Sequence, residues 1–393
     1  MMSNLLFSLL LLLVSFFSVS CRPDYFPSPE SEGGWRKNTD PKFIRSLHLD
    51  PDRLGELGSY GLSVPSSELS SVLVIKDGWL VGEWYSAPEA RHTPIYTASV
   101  GKTFALICFG IAEKDSQEGR LPYRIDNSSH VYDRRWLPQG YPLSDPGKRQ
   151  ITFDHIFQHT SGLVPQASTV EQDLPIEQGR NQWRNYLSWV VGHSSLWPQT
   201  KELYFPPGSP EEFASHACWG SHCGAYSSVG FAHIGLVLAN LYQMPAHRFL
   251  RSRLLDPIGF SAVAFEEPPA PPEILWFSGG GLRMLPRDFA RFAYLLLHEG
   301  RWGKQQLVRP EWFRSLASSP RYENLRTNHD GYFGTAYPPD LIRVYGSGGN
   351  FAFIFPSQQL IVLKTGRIHN FFLDLHMRDF LHRASLIFTD VSS

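Results

Sequence analysis

The sequence predicts an α/β (α+β) protein, in which both chain ends build a sheet domain and a helical domain is inserted between them. Three observations predict it. Residues 71–75 and 80–84 are β-rich runs flanking Lys76-Asp77-Gly78, a hairpin signal. Four short strand-like runs, 332–336, 341–345, 350–355 and 360–364, crowd toward the C-terminus. The middle carries helical periodicity, clearest over 225–242, where Val229, Ala232, His233, Leu236 and Ala239 recur at three and four. The expected division is 61–102 with 276–393 for the sheet domain and 103–275 for the helical insert.

Taken in order, residues 1–20 form an expected signal peptide. The apolar run 5–17 would span only about 20 Å as a helix, short of a ~30 Å hydrocarbon core. Ser18-Val19-Ser20-Cys21 follows, and it resembles a bacterial lipoprotein signal with Cys21 as the acylated residue. The expectation is export, to the periplasm or to a membrane through Cys21, with a plain cleaved signal as the alternative. Residues 21–60 are read as a tether or strap over the domain, the stretch to Asp50 being polar and rich in Pro, Ser and Gly.

After the hairpin, 104–111 is an apolar helical run, and 152–158 is a short helix with Asp154 near its start. The stretch 164–207 is irregular except for 182–191, whose Trp183, Tyr186, Leu187 and Val190 fall at helical spacing and read as core packing. Residues 286–299 form a helix with proline in its first turn, and 371–388 closes the chain as an amphipathic helix.

Bulk composition excludes some functions. Lys plus Arg total 36 against 37 Asp plus Glu among 393 residues, so no net field favours nucleic acid or anionic lipid. In an exported protein Cys218 and Cys223 could bridge a small loop, whereas Cys108 reads as a buried thiol. His216, Cys218, His222 and Cys223 match no zinc spacing, so no metal is expected, and the serine chemistry read below implies no organic cofactor.

The chemistry gathers at Thr97-Ala-Ser-Val-Gly-Lys-Thr-Phe104. Ser99 and Lys102 lie one helical turn apart, which puts a hydroxyl and an amine on one face at a helix N-terminus. A serine needs a base before it attacks a carbonyl, and a desolvated lysine can be that base. No other lysine has a serine three positions before it. A phosphate-binding loop ending in Gly101-Lys102-Thr103 would need glycine at position 96, where the chain has Tyr96.

Four stretches in order carry a resemblance: Ser99-Val-Gly-Lys102, His159-Thr-Ser-Gly-Leu163, Tyr226-Ser-Ser228, and Gly279-Gly-Gly-Leu282 followed by Arg287-Asp-Phe-Ala-Arg-Phe292. From about residue 71 to 388 the chain resembles the serine β-lactamase and penicillin-binding superfamily. The closest branch holds class C β-lactamases with their esterase and 6-aminohexanoate-oligomer hydrolase relatives. The resemblance implies an antiparallel sheet flanked by helices beside an all-helical domain, with the active serine between them. It also implies Ser99 as acylated nucleophile, Lys102 as its partner and Tyr226 as second base. His159 falls in what the family uses as a structural turn, so no role is assigned to it. No Gly-x-Ser-x-Gly elbow occurs, which argues against an α/β-hydrolase triad.

The family's third element is a strand bearing Lys-Thr-Gly or His-x-Gly. Lys364-Thr365-Gly366 spells it but lies one strand too late, so the expected slot is Val344-Tyr345-Gly346, before the bend Ser347-Gly348-Gly349. That register pairs Ser347 N–H with Ser99 N–H as the oxyanion hole, with Gly348 as the alternative donor, and Gly346 lining the substrate. Val344 supplies no cation for a substrate carboxylate, leaving Arg343 or Lys364 to reach round. Ser228 stands where the family has an amide against the acyl side chain. These departures favour a carboxylesterase or a small-amide hydrolase over a β-lactamase or DD-peptidase. The rival class is a non-catalytic acyl-binding sensor or scaffold. The expected partner is a small ester or amide.

Overall fold

The computed structural model describes residues 25–165, 186–195, 198–209, 218–219, 222–223, 226–261, 263–265, 278–318, 325–368 and 373–389. The expected signal peptide and Cys21 lie outside them.

Two helices precede the sheet, α1 (Pro41–Ser46) and α2 (Pro51–Ser63), within the stretch expected to be a tether. Each opens with an Asp-Pro pair. Asp40 accepts from Lys42 and Phe43 N–H, Asp50 accepts from Asp52 and Arg53 N–H, and proline takes the first helical position. Ahead of them a strap remains. Arg291 donates to the carbonyls of Pro27 and Ser28, and Arg287 holds Glu30 and Glu83.

The hairpin forms as expected from β1 (Ser71–Lys76) and β2 (Trp79–Tyr85), with φ of 49° at Asp77 and 74° at Gly78 closing a primed turn. β3 (Ile95–Tyr96) then leads into α3 (Val100–Gln117), a helix buried nearly all round. The middle of the chain supplies α4 (Phe153–Phe157), α5 (Tyr186–Val191), the small hairpin β4 (Cys218–Trp219) and β5 (His222–Cys223), then α6 (Ser228–Tyr242) and α7 (Ala246–Leu250). β6 (Val263–Phe265) and β7 (Leu282–Met284) join β3 in a three-stranded sheet ordered β3-β7-β6. After them come α8 (Pro286–Leu297), the pair β8 (Arg301–Trp302) and β9 (Gln305–Gln306), and α9 (Pro310–Ala317).

The remaining strands are β10 (Leu325–Thr327), β11 (Ile342–Gly346), β12 (Asn350–Phe355) and β13 (Leu360–Thr365), and α10 (Leu373–Ser385) closes the chain. They complete an antiparallel six-stranded sheet ordered β10-β11-β12-β13-β1-β2, which joins strands from both ends of the chain. The expected strand 332–336 is instead a turn segment. Asn328 accepts from Phe333 N–H and donates to the carbonyls of Gly334, Tyr337 and Pro338, so backbone groups that a ladder would need are already engaged.

Strand alternation sorts the core into two layers. Val72, Val74, Phe351, Phe353 and Val362 pack with Leu54, Leu57, Phe380 and Leu381 of α2 and α10. Leu73, Ile75, Val344, Ala352, Ile354 and Leu363 pack with Phe104, Ile107, Phe289 and Phe292 of α3 and α8. The second layer supports the site.

Candidate active site

β3 delivers the chain to Ser99. Thr97 is anchored twice to the Leu282 carbonyl of β7, through its N–H at 3.0 Å and its Oγ1 at 2.8 Å. Ala98 takes φ of 49°, a left-handed conformation uncommon for alanine, and turns the chain into α3. Ser99 is left at the helix N-cap, half-exposed and without a side-chain capping bond. Its Oγ instead lies 3.1 Å from Lys102 Nζ.

Lys102 is fully buried, and among the described contacts its Nζ is held by three oxygens: Ser99 Oγ, Ser228 Oγ at 3.0 Å and the Gly279 carbonyl at 2.5 Å. Gly279 can only accept, whereas the two hydroxyls can donate or accept. The same cage therefore suits an ammonium giving three bonds and an amine giving two while accepting one from Ser99. Gly101 makes the approach possible, since a Cβ there would lie 2.7 Å from the Gly280 carbonyl oxygen.

Ser227 caps α6, accepting from Gly230 N–H at 3.1 Å and donating to the Val164 carbonyl at 2.7 Å. This capping sets Tyr226 and Ser228 beside α3. Lys102 Nζ lies 4.6 Å from the centre of the Tyr226 ring, and the His159 ring stacks on Tyr226 at 4.1 Å. Ser228, expected beside the acyl group, turns its hydroxyl onto Lys102.

The close approach of β11 to the start of α3 occurs at Gly346. A Cβ there would lie 2.1 Å from the Thr97 carbonyl oxygen and 3.1 Å from Ser99 N, so only glycine fits. The next residue, Ser347, is exposed and opens the turn through Gly348 and Gly349, whose φ values are 81° and 88°. Among the described residues neither Ser99 N–H nor Ser347 N–H has a hydrogen-bond partner.

The cations expected to reach round do not. Arg343 is buried on the opposite side of β11, its guanidinium 5.2 to 5.6 Å from the rings of Tyr345, Phe333 and Tyr332. Lys364 emerges beside its cross-strand partners Val72 and Phe351, in the layer under α2 and α10. Burial lowers its pKa to about 8. The cation near the site that the sequence reading missed is Arg367, exposed, with its Cγ 3.2 Å from where a Cβ on Gly348 would stand. Its signal was position, directly after Gly366, hidden by the more familiar spelling of Lys364-Thr365-Gly366.

A cavity of about 620 Å³ opens elsewhere, between residues 64–70, Ser86, Pro94, Ile95 and Arg283, and none of Ser99, Lys102 or Tyr226 lines it. Cys218 pairs opposite Cys223 across the β4–β5 hairpin, while the side chains that would decide a disulfide lie outside the described residues. Cys108 is a buried thiol, its pKa raised by burial.

The family model Beta-lactamase matches residues 70–365, and the chain belongs to this family. Solved structures share the fold. EstCE1, a hydrolase with promiscuous acyltransferase activity, is 17% identical with a TM-score of 0.59, covering 87% of this chain and 100% of its own. A penicillin-binding protein homologue from Caulobacter crescentus is 14% identical with a TM-score of 0.59, over 85% of this chain and 97% of its own. A protein assigned as a 6-aminohexanoate-dimer hydrolase from Bacillus anthracis is 14% identical with a TM-score of 0.56, over 92% of this chain and 87% of its own. No curated protein matches the chain by sequence.

Proposed function

We propose that the protein is an exported serine hydrolase that cleaves an ester or small amide through an acyl-Ser99 intermediate. The observation that carries this reading is the cage around Lys102, which links Ser99 Oγ to a buried amine 3.1 Å away. Lys102 takes the hydroxyl proton as Ser99 Oγ attacks the carbonyl carbon. Ser99 N–H and Ser347 N–H stabilise the oxyanion, and two such donors are worth about 3 kcal/mol or more each. Tyr226 relays the proton to the leaving alcohol or amine, the scissile bond breaks, and Ser99 is left acylated. A water then gives its proton to the same base, attacks the acyl carbon and releases the acid with Ser99 restored. Export rests on the apolar segment 5–17 and the residues after it.

Val344 in the strand slot, with Arg343 and Lys364 on the other face, supports neutral acyl groups and hence an esterase or small-amide hydrolase. Arg367 favours a second reading, a β-lactamase or DD-peptidase gripping a substrate carboxylate from beside Gly348. A hydrolysis screen across p-nitrophenyl esters of rising chain length, 6-aminohexanoate dimer and nitrocefin separates them. The expected result is turnover of neutral esters at least tenfold faster than nitrocefin, unchanged in Arg367→Ala. Nitrocefin turnover that collapses in Arg367→Ala would favour the second reading.

A further inference from the structure

The turn after α4 does more than shape the chain. His159 has φ of 56°, which a non-glycine residue adopts only when its surroundings hold it there. Those surroundings are closed by backbone bonds from His159 N–H to the Ile156 carbonyl, Thr160 N–H to the His155 carbonyl, and Gly208 N–H to the Thr160 carbonyl. The buried imidazole then lies 5.2 Å from the Phe231 ring of α6 and makes two contacts with the residues that lead into that helix. Its face lies on the Tyr226 ring at 4.1 Å and 27°, and its Nδ1 accepts Ser227 N–H at 3.1 Å. A ring nitrogen that accepts carries no proton, so a neutral imidazole bears its proton on Nε2.

The two contacts fix the phenol from both ends: the stack sets the plane of the ring, and the Ser227 bond sets the peptide that follows it. The Val164 carbonyl, five residues beyond His159, receives Ser227 Oγ and adds a third tie. We infer that His159 is a positioning residue that holds the Tyr226 phenol against Lys102, through ring stacking on Tyr226 and acceptance of Ser227 N–H. This rests on the serine hydrolase reading and deepens it. Lys102 from α3 and His159 from this turn are the titratable side chains that face the Tyr226 ring among the described contacts.

The test compares wild type, His159→Asn and His159→Phe on a p-nitrophenyl ester, with kcat and KM followed across pH and thermal unfolding measured alongside. Asparagine tolerates positive φ and keeps an acceptor but loses the stack, while phenylalanine keeps the ring and loses the acceptor. The expected result is a kcat about 10- to 100-fold lower in His159→Asn, with KM within about twofold and the unfolding temperature close to that of wild type. If that variant does not fold, His159→Phe carries the test with the same expected loss of kcat. A kcat within about twofold of wild type in the folded variant, or a loss shared equally by KM, overturns the inference. Wild-type protein that neither hydrolyses esters nor labels at Ser99 overturns the hydrolase reading, and this inference with it.

Discussion

Two lysines, in Ser99-Val-Gly-Lys102 and in Lys364-Thr-Gly366, are fully buried within short spellings associated with acyl transfer, and they end in opposite surroundings. Lys102 stands between two hydroxyls and a carbonyl at 2.5 to 3.1 Å, beside a half-exposed serine. Lys364 lies in the layer between the sheet and α10, its ammonium donating only to the Thr365 carbonyl at 3.5 Å among the described residues. Near it, His376 stacks on Tyr60 at 4.9 Å, and among the described residues both its ring nitrogens lack hydrogen-bond partners. Burial first, and the charge of Lys364 second, push His376 down to about 4. Burial alone therefore does not distinguish the two amines. Among the described residues, what separates them is the set of oxygen partners around Lys102, with the Ser99 hydroxyl within reach.

Ser99→Ala should lower ester hydrolysis by about 10³-fold or more, with thermal unfolding nearly unchanged, because the half-exposed hydroxyl makes no cap. Lys102→Met should cost a similar factor in kcat, whereas Lys364→Met should leave kcat within about twofold of wild type; matched steady-state kinetics check the pair. Gly346→Ala should cost about 10²-fold or more and also lower the unfolding temperature, since its Cβ would meet the Thr97 carbonyl oxygen at 2.1 Å. Ser228→Ala, removing one of the three oxygens around Lys102, should cost about tenfold to a hundredfold in kcat with little change in KM.

The smallest effect concerns stability. Lys364 titrates in the fold near 8 rather than its ordinary 10.5, so between these values the unfolded chain binds more protons. Stability conferred by the neutral amine is thus present at high pH and lost as pH falls toward 8. Lys364→Met should raise stability by about 1–3 kcal/mol at pH 7, and the gain should shrink as pH rises from about 8 to 10.5. Denaturant unfolding at both pH values measures it. An equal gain at both would mean that packing, not charge burial, is the cause.

Much of this architecture was legible where local chemistry and periodicity agree. The Asp77-Gly78 turn and the helix opened after Tyr226 follow from what glycine or a repeating apolar face permits, whereas Gly346, read as lining the substrate, was not foreseen to lie against the Thr97 carbonyl and Ser99 N. α1 and α2 were missed because their polar composition outweighed the Asp-Pro pairs that start them. The 332–336 run has strand-forming residues, but Asn328, several positions away, captures its backbone. Side-chain direction was harder still. Ser228 turning to Lys102, Arg343 burying among aromatic rings and Arg367 lying along Gly348 all depend on register between distant strands and helices, which spacing within one segment does not contain.

Peptide mapping by mass spectrometry after fluorophosphonate treatment asks whether Ser99 is the acylated nucleophile. A single adduct is expected on the peptide containing Ser99, absent from Ser99→Ala and slowed in Lys102→Met. An adduct on another residue, or one that persists in Ser99→Ala, would overturn that role.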